Sequence, residues 1–443
     1  LIGAENTGNV TGYGNVGGLV GSTGSSKIIK GANFGTVTSI FEGSSNTGII
    51  DFGTGGIVGG VQVTPDSDTV GALKVEITET YNKGDVNGNQ AVGGIVGDVY
   101  TMENPITGYK GSLILDKVFN TGNISANATI GTTNQMAGGI AGYVNAFCQI
   151  NNAYNLANVS GSDYVGGICG QYNSYEDLKN VYNMGKIDGR DSVGGIIGYA
   201  VNATTNTARL LKIDNVYNGG EVTGRNDVGG IIGTLEIKGG RSLLNNSYND
   251  GKVFASGDNA GGIVGRNNIM VTQQSKLANA YNTGAVSANG NNAGGIIGYN
   301  HMYTDTWNTI EIHTEIDTVS NKGAVSGGGN VGGLVGKSEL ERENPSMTNT
   351  TANLEIKNSK YASDIAGGAH AFGSVDSSVT GLDSQVVGKL AANIAAKDKF
   401  AGWDIGDAGS GSVWRNYDGT TPILNTFISD LFGKRCCYQR ELW

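Results

Sequence analysis

Histidines are the first side chains to consider, because imidazole serves both metal binding and acid–base chemistry. The chain has three, and two of them, His301 and His313, lie in the stretch 299–318 among several acidic residues. A metal site needs ligands that converge with defined geometry, and this spacing does not impose one. The HExxH pair of zinc peptidases is absent from the sequence. We therefore predict solvated loop histidines, no metal site and no cofactor.

A second group combines carboxylates with arginines in two stretches of the chain. Its members are Asp188, Arg190, Asp191, Glu221, Arg225 and Asp227. A glycosidase needs two carboxyl groups roughly 5–10 Å apart, which this group reaches only if the two stretches lie side by side. The same residues also fit polar turns that flank a repeated apolar motif. We predict no catalytic residues and a protein that is not an enzyme.

The chain has four long inserted segments, at 60–79, 98–117, 199–215 and 299–318, and aromatic residues lie in the last three of them. Long loops on a rigid scaffold often carry function, and aromatic rings can stack on sugars or fill pockets in a protein partner. The alternative is that these rings only shield the bases of the loops. The residues that we predict to bind a ligand are Tyr100, Tyr109, Tyr303 and Trp307.

Composition restricts the class of protein further. The chain of 443 residues has 75 glycines but only 4 prolines and 15% charged residues, which argues against disorder and against collagen. The net charge of −10 and the absence of a basic patch argue against nucleic-acid binding. No apolar run reaches about 18 residues, so we predict no transmembrane segment. What remains is an ordered glycine-rich repeat.

The repeat has two parts. Its Gly-Gly-apolar-apolar-Gly motif begins at Gly17, Gly55, Gly93, Gly138, Gly166, Gly194, Gly229, Gly261, Gly294 and Gly332. Upstream of most copies stands Asn-x-Gly-x-apolar, and the step from its Asn to the first Gly of the pair is nearly constant, as from Asn183 to Gly194. The return to the next Asn varies in length, from the short Gly21-to-Asn33 segment to the long Gly298-to-Asn321 segment. A rigid half that alternates with a variable half is typical of a solenoid, in which loops leave one side of the stack.

Short segments rich in Val, Ile and Tyr, bounded by Gly and Asn, indicate strands and turns. We predict an all-β parallel β-helix, right-handed, with three strands in each of about ten to eleven coils. Glycine would allow positive φ at the corners and close approach of backbones. Asn82, Asn155, Asn183 and Asn218 would occupy equivalent corners and form an amide ladder.

These units resemble the GLUG motif, named for Gly-Leu-aliphatic-Gly, which reads GGLVG at 17–21 and 332–336 and GGIVG or GGIIG in most other copies. The stretch YNTGAVSANGNNAGGIIG at 281–298 is similar to the fuller family repeat. Such repeats occur in filamentous-haemagglutinin-like exoproteins and outside the catalytic part of some immunoglobulin A peptidases. The resemblance covers roughly residues 4–340, with a decayed copy to about 370.

The resemblance implies a segment of a bacterial secreted or cell-surface, adhesin-like protein, acting as rigid stalk and binding scaffold. Its expected partner is a host-cell or surface glycan or protein, and we expect a monomeric segment of a longer chain. A carbohydrate-active β-helix enzyme, either a polysaccharide lyase or a hydrolase, is the alternative.

Three regions are predicted along the chain: repeats at 1–370, a C-terminal cap at 371–430 and a tail at 431–443, native or added. The aromatic residues expected to cover the last coil are Trp403, Trp414, Tyr417 and Phe427.

Overall fold

A computed structural model describes the residues 1–40, 52–69, 71–126, 135–204, 206, 208–270, 273–363, 370–381, 387–389, 403–406, 412–415 and 423–424. Throughout these residues the regular structure is β-strand, and the strands of the repeats pair in parallel. No helix long and apolar enough to cross a bilayer occurs in this part of the chain.

The repeat region winds through four sheets in turn, which we number 1 to 4 in the order that each coil visits them. Sheet 1 contains the Tyr-Asn segments. Its strands are Glu5–Asn6, Ser26–Ile29, Ala32–Asn33, Leu73–Thr78, Tyr81–Asn82, Gly111–Asp116, Phe119–Asn120, Cys148–Asn155, Leu178–Asn183, Leu210–Asn218, Arg241–Asn249, Gln274–Asn282, Ile310–Asn321, Thr350–Lys357, Lys360–Ala362, Val379–Thr380 and Val387–Lys389.

Sheets 2 and 3 are built from very short strands. Those of sheet 2 are Val10–Gly12, Val37–Ser39, Val86–Gly88, Ile124–Ala126, Val159–Ser160, Ile187–Asp188, Val222–Gly224, Val253–Ala255, Val286–Ala288 and Val325–Gly327. Those of sheet 3 are Val16–Gly17, Gly53–Gly55, Ala91–Gly93, Met136–Gly138, Asp163–Gly166, Asp191–Gly194, Asn226–Gly229, Ala260–Gly261, Ala293–Gly294 and Val331–Gly332.

Sheet 4 completes each coil before the chain returns to sheet 1. Its strands are Val20–Thr23, Val58–Val63, Val96–Thr101, Ala141–Ala146, Cys169–Ser174, Ile197–Asn202, Ile232–Ile237, Val264–Met270, Ile297–Thr304, Val335–Arg342 and Phe372–Val375. A separate small sheet follows, made of Ile405–Gly406, Trp414–Arg415 and Ile423–Leu424.

The predicted parallel β-helix is confirmed. Equivalent residues of successive coils pair in register, as Asn155 does with Asn183 and Asn183 with Asn218. Counted over the described residues, sheets 2 and 3 have ten strands each and sheet 4 has eleven, in agreement with ten to eleven coils.

The prediction of three strands per coil was wrong, since each coil passes through four sheets and some coils have two strands in sheet 1. The GGxxG motif is not one strand but a corner: its first glycine ends a strand of sheet 3, and its last two residues begin one of sheet 4. In the sixth copy, Asp191–Gly194 is followed by Ile197–Asn202, with Gly195 and Ile196 at the bend. The apolar Ile196 and Ile197 are both fully buried, and such pairs build one continuous core along the stack.

The predicted amide ladder is confirmed, and it runs inside the solenoid. Each Asn up to Asn282 donates through Nδ2 to Oδ1 of its counterpart in the next coil, at 2.7 Å from Asn33 to Asn82 and 2.9 Å from Asn183 to Asn218. Nδ2 also donates to the backbone carbonyl two residues ahead, as from Asn183 to Gly185 at 2.8 Å. The ladder consists of Asn6, Asn33, Asn82, Asn120, Asn155, Asn183, Asn218, Asn249, Asn282 and Asn321.

Crowding, and not positive φ, explains the glycine pair. Among the described residues, no glycine of the GGxxG motif has a positive φ. A Cβ on Gly194 would lie 2.0 Å from the carbonyl oxygen of Ile197. A Cβ on Gly195 would lie 2.1 Å from the carbonyl oxygen of Gly230 and 2.4 Å from Cγ of Asn218. The glycine pair of one coil therefore makes room for the Asn of the next, which couples the two halves of the repeat.

An aromatic column runs along the outside of sheet 1. Tyr81, Phe119, Tyr154 and Tyr182 stack face to face with ring centroids 4.9 Å apart. The column ends at Tyr281, whose register partner in the next coil is Ser320. Its ring stacks on that of Tyr248 at 3.9 Å.

Trp414 packs beside the end of this column, 5.8 Å from the ring of Tyr281, and Trp403 lies against Trp414 at 4.3 Å. Trp403 also donates from Nε1 to the backbone carbonyl of Asn358, between the sheet 1 strands Thr350–Lys357 and Lys360–Ala362. These two tryptophans thus cover the outer side of the final coils. Tyr417 and Phe427, named with them as a cap, lie outside the described residues, as does the tail at 431–443.

Candidate functional site

The four insertions leave the solenoid at one corner, between a strand of sheet 4 and the following strand of sheet 1. In part they lengthen those strands, so that Ile297–Thr304 and Ile310–Asn321 have 8 and 12 residues. The stack therefore carries its variable segments along one edge.

The four aromatic residues predicted to bind a ligand fall into two groups. Tyr100 is half-buried in the strand Val96–Thr101, and Tyr109 is exposed in the loop that follows. Tyr303 is half-buried in Ile297–Thr304, and Trp307 is 56% exposed beyond it. Since these strands are the third and ninth of sheet 4, the structure does not bring the two groups together.

Two insertions meet over the shorter coils between them. Lys110 of one insertion lies 4.8 Å from the ring centroid of Phe147, and Arg209 of the other lies 5.4 Å from it. Arg209 also lies over Tyr175 at 4.0 Å and pairs with Glu103 at 3.8 Å. Such cation–π contacts stabilise partly buried rings. The contacts hold the insertions 98–117 and 199–215 against the solenoid.

His301 is buried, with 5% of its surface exposed, so the prediction of a solvated loop histidine was wrong. The strand Ile297–Thr304 extends into the insertion and holds His301 on the outer face of sheet 4. There, His301 Nε2 lies 2.9 Å from Oε2 of Glu341, and its Nδ1 lies 2.6 Å from Oδ1 of Asn268. The ring centroid of Tyr303 is 6.4 Å away, which links one predicted residue to this cluster.

Carboxylates of the next coil complete the cluster. Glu339 pairs in register with His301, accepts a hydrogen bond from the Tyr299 hydroxyl and forms an ion pair with Lys337. One ligand atom from each of His301, Glu339 and Glu341 lies within 4.8 Å of the others. We call these three residues the His301 cluster. Sequence reasoning missed the two glutamates, although their alternation in SELER at 338–342 places both on one face of a strand.

Burial sets the electrostatics of this cluster. Burial lowers the pKa of His301 despite its contact with Glu341, and burial together with Glu339 raises the pKa of Tyr299. Burial alone would raise the pKa of Glu339, but the hydrogen bonds from Lys337 and Tyr299 hold it below its usual value.

The carboxylate–arginine group forms ion pairs and hydrogen bonds along the stack. Arg190 donates from Nε to Asp163 at 2.9 Å, and Arg225 donates from Nε to Asp191 at 3.0 Å. Lys186 pairs with Glu221 at 3.1 Å. These contacts join neighbouring coils, as expected of polar turns that flank the motif.

Asp227, another acid of that group, belongs to a ladder of its own. Burial raises the pKa of its carboxyl group, and Oδ1 accepts a hydrogen bond from Asn259 at 2.7 Å. Asn292 in turn donates to Asn259 at 2.8 Å, which extends this second ladder by a further coil.

The fold defines the class of this protein as a parallel β-helix. No protein-family model matches the chain, and no curated protein matches it. Among solved structures, it is similar to a protein from Bacteroides ovatus described as a "putative immunoglobulin A1 protease". That match has 16% sequence identity and a TM-score of 0.39, and it covers 81% of this chain and 88% of the other. A similarity this low carries no argument about activity.

Proposed function

We propose that this chain is a rigid stalk and binding scaffold of a bacterial secreted or cell-surface, adhesin-like protein. Residues 1–370 form the stalk, and 371–430 form its C-terminal cap. The binding edge is the corner of the insertions, and its partner is a host-cell or surface glycan or protein. The proposal assigns no catalytic role to the chain.

The alignment of the insertions at one corner is the observation that carries the proposal. Exposed apolar side chains project from this corner, among them Ile106 at 84%, Trp307 at 56% and Met102 at 43%. Exposed apolar side chains of this kind favour binding to a partner, because removing their apolar surface from water lowers the free energy. Their repetition along a stiff rod suits a multivalent partner, for which avidity can greatly exceed the affinity of a single contact.

Rigidity supports the stalk role. The Asn ladder, the continuous core and the ring column each connect successive coils within the repeats. Because these contacts run from coil to coil through the described residues, a partner bound at the insertions would stay at a fixed distance from the neighbouring coils.

A glycan array and a cell-binding assay on the purified chain test this proposal. Trp307→Ala and Tyr109→Ala should each weaken binding, whereas Tyr13→Ala should not, since Tyr13 is 69% exposed but lies outside the insertions. Absence of binding, or equal loss in all three variants, would contradict a binding edge at this corner. Release of sugar products from polysaccharides by the purified chain would favour the enzyme alternative instead.

A further inference from the structure

The His301 cluster has the geometry of a metal site. Its ligand atoms come from two adjacent strands of sheet 4, and they converge within 4.8 Å on the outer face of the sheet. His301 is held by burial, while Glu341, with 58% of its side chain exposed, is free to adjust its carboxylate. One fixed ligand and one adjustable ligand allow the cluster to close around an ion at bonding distances of about 2 Å.

Asn268 contacts Nδ1 of His301 on the side of the ring that faces away from Glu341. Its Nδ2 donates to Oε1 of Glu236 at 2.9 Å, which turns Oδ1 toward His301. Oδ1 accepts only, so the contact of 2.6 Å favours a hydrogen on Nδ1, whereas Nη2 of Arg266, a donor 3.3 Å from the same nitrogen, opposes it. Metal-binding histidines are commonly oriented in this way, by a carbonyl or carboxylate that accepts from the other ring nitrogen.

The remaining nitrogen then faces the carboxylate. Nε2 of His301 lies 2.9 Å from Oε2 of Glu341. Two acceptors at this distance repel unless a cation lies between them, either a proton on Nε2 or a metal ion. The adjacent Glu339 adds a second carboxylate on the same side.

We propose that His301, Glu339 and Glu341 bind a divalent transition-metal ion of the zinc type. An imidazole with carboxylates suits Zn²⁺, whereas Ca²⁺ prefers oxygen ligands alone. The ion would join two successive coils at the base of the insertion 299–318, with its remaining position open to water. Two cations, Arg266 at 3.3 Å from His301 Nδ1 and Lys337 beside Glu339, oppose binding. This site is independent of the adhesive role proposed above.

Calorimetric titration of the purified chain with Zn²⁺, in a buffer that does not chelate it, tests the site. One equivalent should bind, and the midpoint of thermal unfolding should rise with it, because the ion binds the folded state. Glu341→Gln should weaken binding at least about tenfold, and Lys337→Gln should strengthen it. Ca²⁺ should bind far more weakly than Zn²⁺.

His313→Gln is the matched control, since His313 lies on sheet 1, 3.5 Å from Glu355, and its loss should leave Zn²⁺ affinity unchanged. His301→Gln should abolish binding. If that buried variant does not fold, Glu341→Gln decides alone, because the Glu341 side chain is largely exposed. Failure of the unmodified chain to bind Zn²⁺, or equal affinity in Glu341→Gln, would overturn the proposal and leave a proton between the two side chains.

Discussion

Asn183 shows how one side chain can satisfy a whole corner of a coil. Its Nδ2 donates to Asn218 and to the carbonyl of Gly185, while its Oδ1 accepts from Asn155 and from the Gly185 amide. All four contacts lie in the buried interior, where an unmade hydrogen bond is costly. The ladder therefore selects Asn strongly at this position, because few other side chains both donate and accept here.

Asn183→Ala should lower the free energy of unfolding by about 3 kcal/mol, since buried partners in two neighbouring coils lose hydrogen bonds. Urea unfolding followed by circular dichroism measures this. Asn158→Ala is the control in the preceding coil: Asn158 is exposed and accepts one bond, from the Lys186 amide at 3.1 Å. Equal effects of the two substitutions would show that the interior ladder contributes little.

Gly195→Ala should destabilise the chain by about 3 kcal/mol or more, because the new methyl group overlaps backbone that cannot move without shifting the next coil. The nearest atoms are those of Gly230 and Asn218, at 2.1 and 2.4 Å. Gly8→Ala should be nearly neutral, since the closest atom to its Cβ is 3.9 Å away. Thermal unfolding of both variants gives the comparison, and a neutral Gly195→Ala would refute the crowding argument.

At the scale of elements, half-buried tyrosines on the outer faces of the sheets predict a loss of stability at high pH. Burial raises the pKa of Tyr143 and of Tyr248 to about 12, from 10.0. Their contribution to stability is complete below pH 10 and is lost as the pH rises from 10 to about 12, because the unfolded chain releases these protons first.

Denaturant midpoints measured between pH 8 and 12 test this prediction. The double variant Tyr143→Phe, Tyr248→Phe should lose less stability over that range than the unmodified chain, since phenylalanine does not ionise. An unchanged pH profile in the double variant would show that other groups cause the alkaline loss.

Trp414→Ala should destabilise the last coils by about 3–5 kcal/mol, because Trp414 is 1% exposed and covers the end of the ring column. Hydrogen exchange should accelerate first in Gln274–Asn282 and the strands after it, while Leu178–Asn183 stays protected. Uniform exchange along the whole stack, or none, would argue against a covering role for this segment.

At the scale of the whole molecule, the solenoid is a one-dimensional stack whose coils contact their nearest neighbours. Removal of the segment 166–193 takes out one complete coil and joins two copies of the same motif. The shortened chain should fold with its register intact, and its rod should be about 4.8 Å shorter by small-angle scattering.

Deletion of only the first half of that coil, the segment 166–179, is the control, since it interrupts the stacking and shifts apolar residues out of the core. That variant should lose much of its cooperative unfolding transition. If both deletion variants fold equally well, the repeat does not determine the register in which successive coils stack.

Much of this architecture could be predicted from repeat spacing. The nearly constant step from Asn to Gly-Gly indicated stacked coils, and identical residues such as Asn155 and Asn183 indicated the ladder. Four sheets in place of three could not be predicted, because whether Gly194 and Gly195 lie in a strand or a corner depends on the backbone of the next coil.

The His301 cluster shows the same limit. His301 and Glu339 are distant in the chain but adjacent across two strands, and no local spacing reveals which insertion residues extend a strand. Tyr100, Tyr109, Tyr303 and Trp307 were chosen for their chemistry, and their role in binding stays a prediction.

The amino-acid sequence by itself determined that coils repeat, that Asn and Gly-Gly occupy equivalent places and that the insertions share one edge, because periodicity is a property of the chain alone. Only the tertiary structure decided which side chains of different coils meet, such as Trp414 with Tyr281 and His301 with Glu341. The physical reason is that these contacts depend on the lateral stacking of strands and on burial, to which residues far apart in the sequence contribute together.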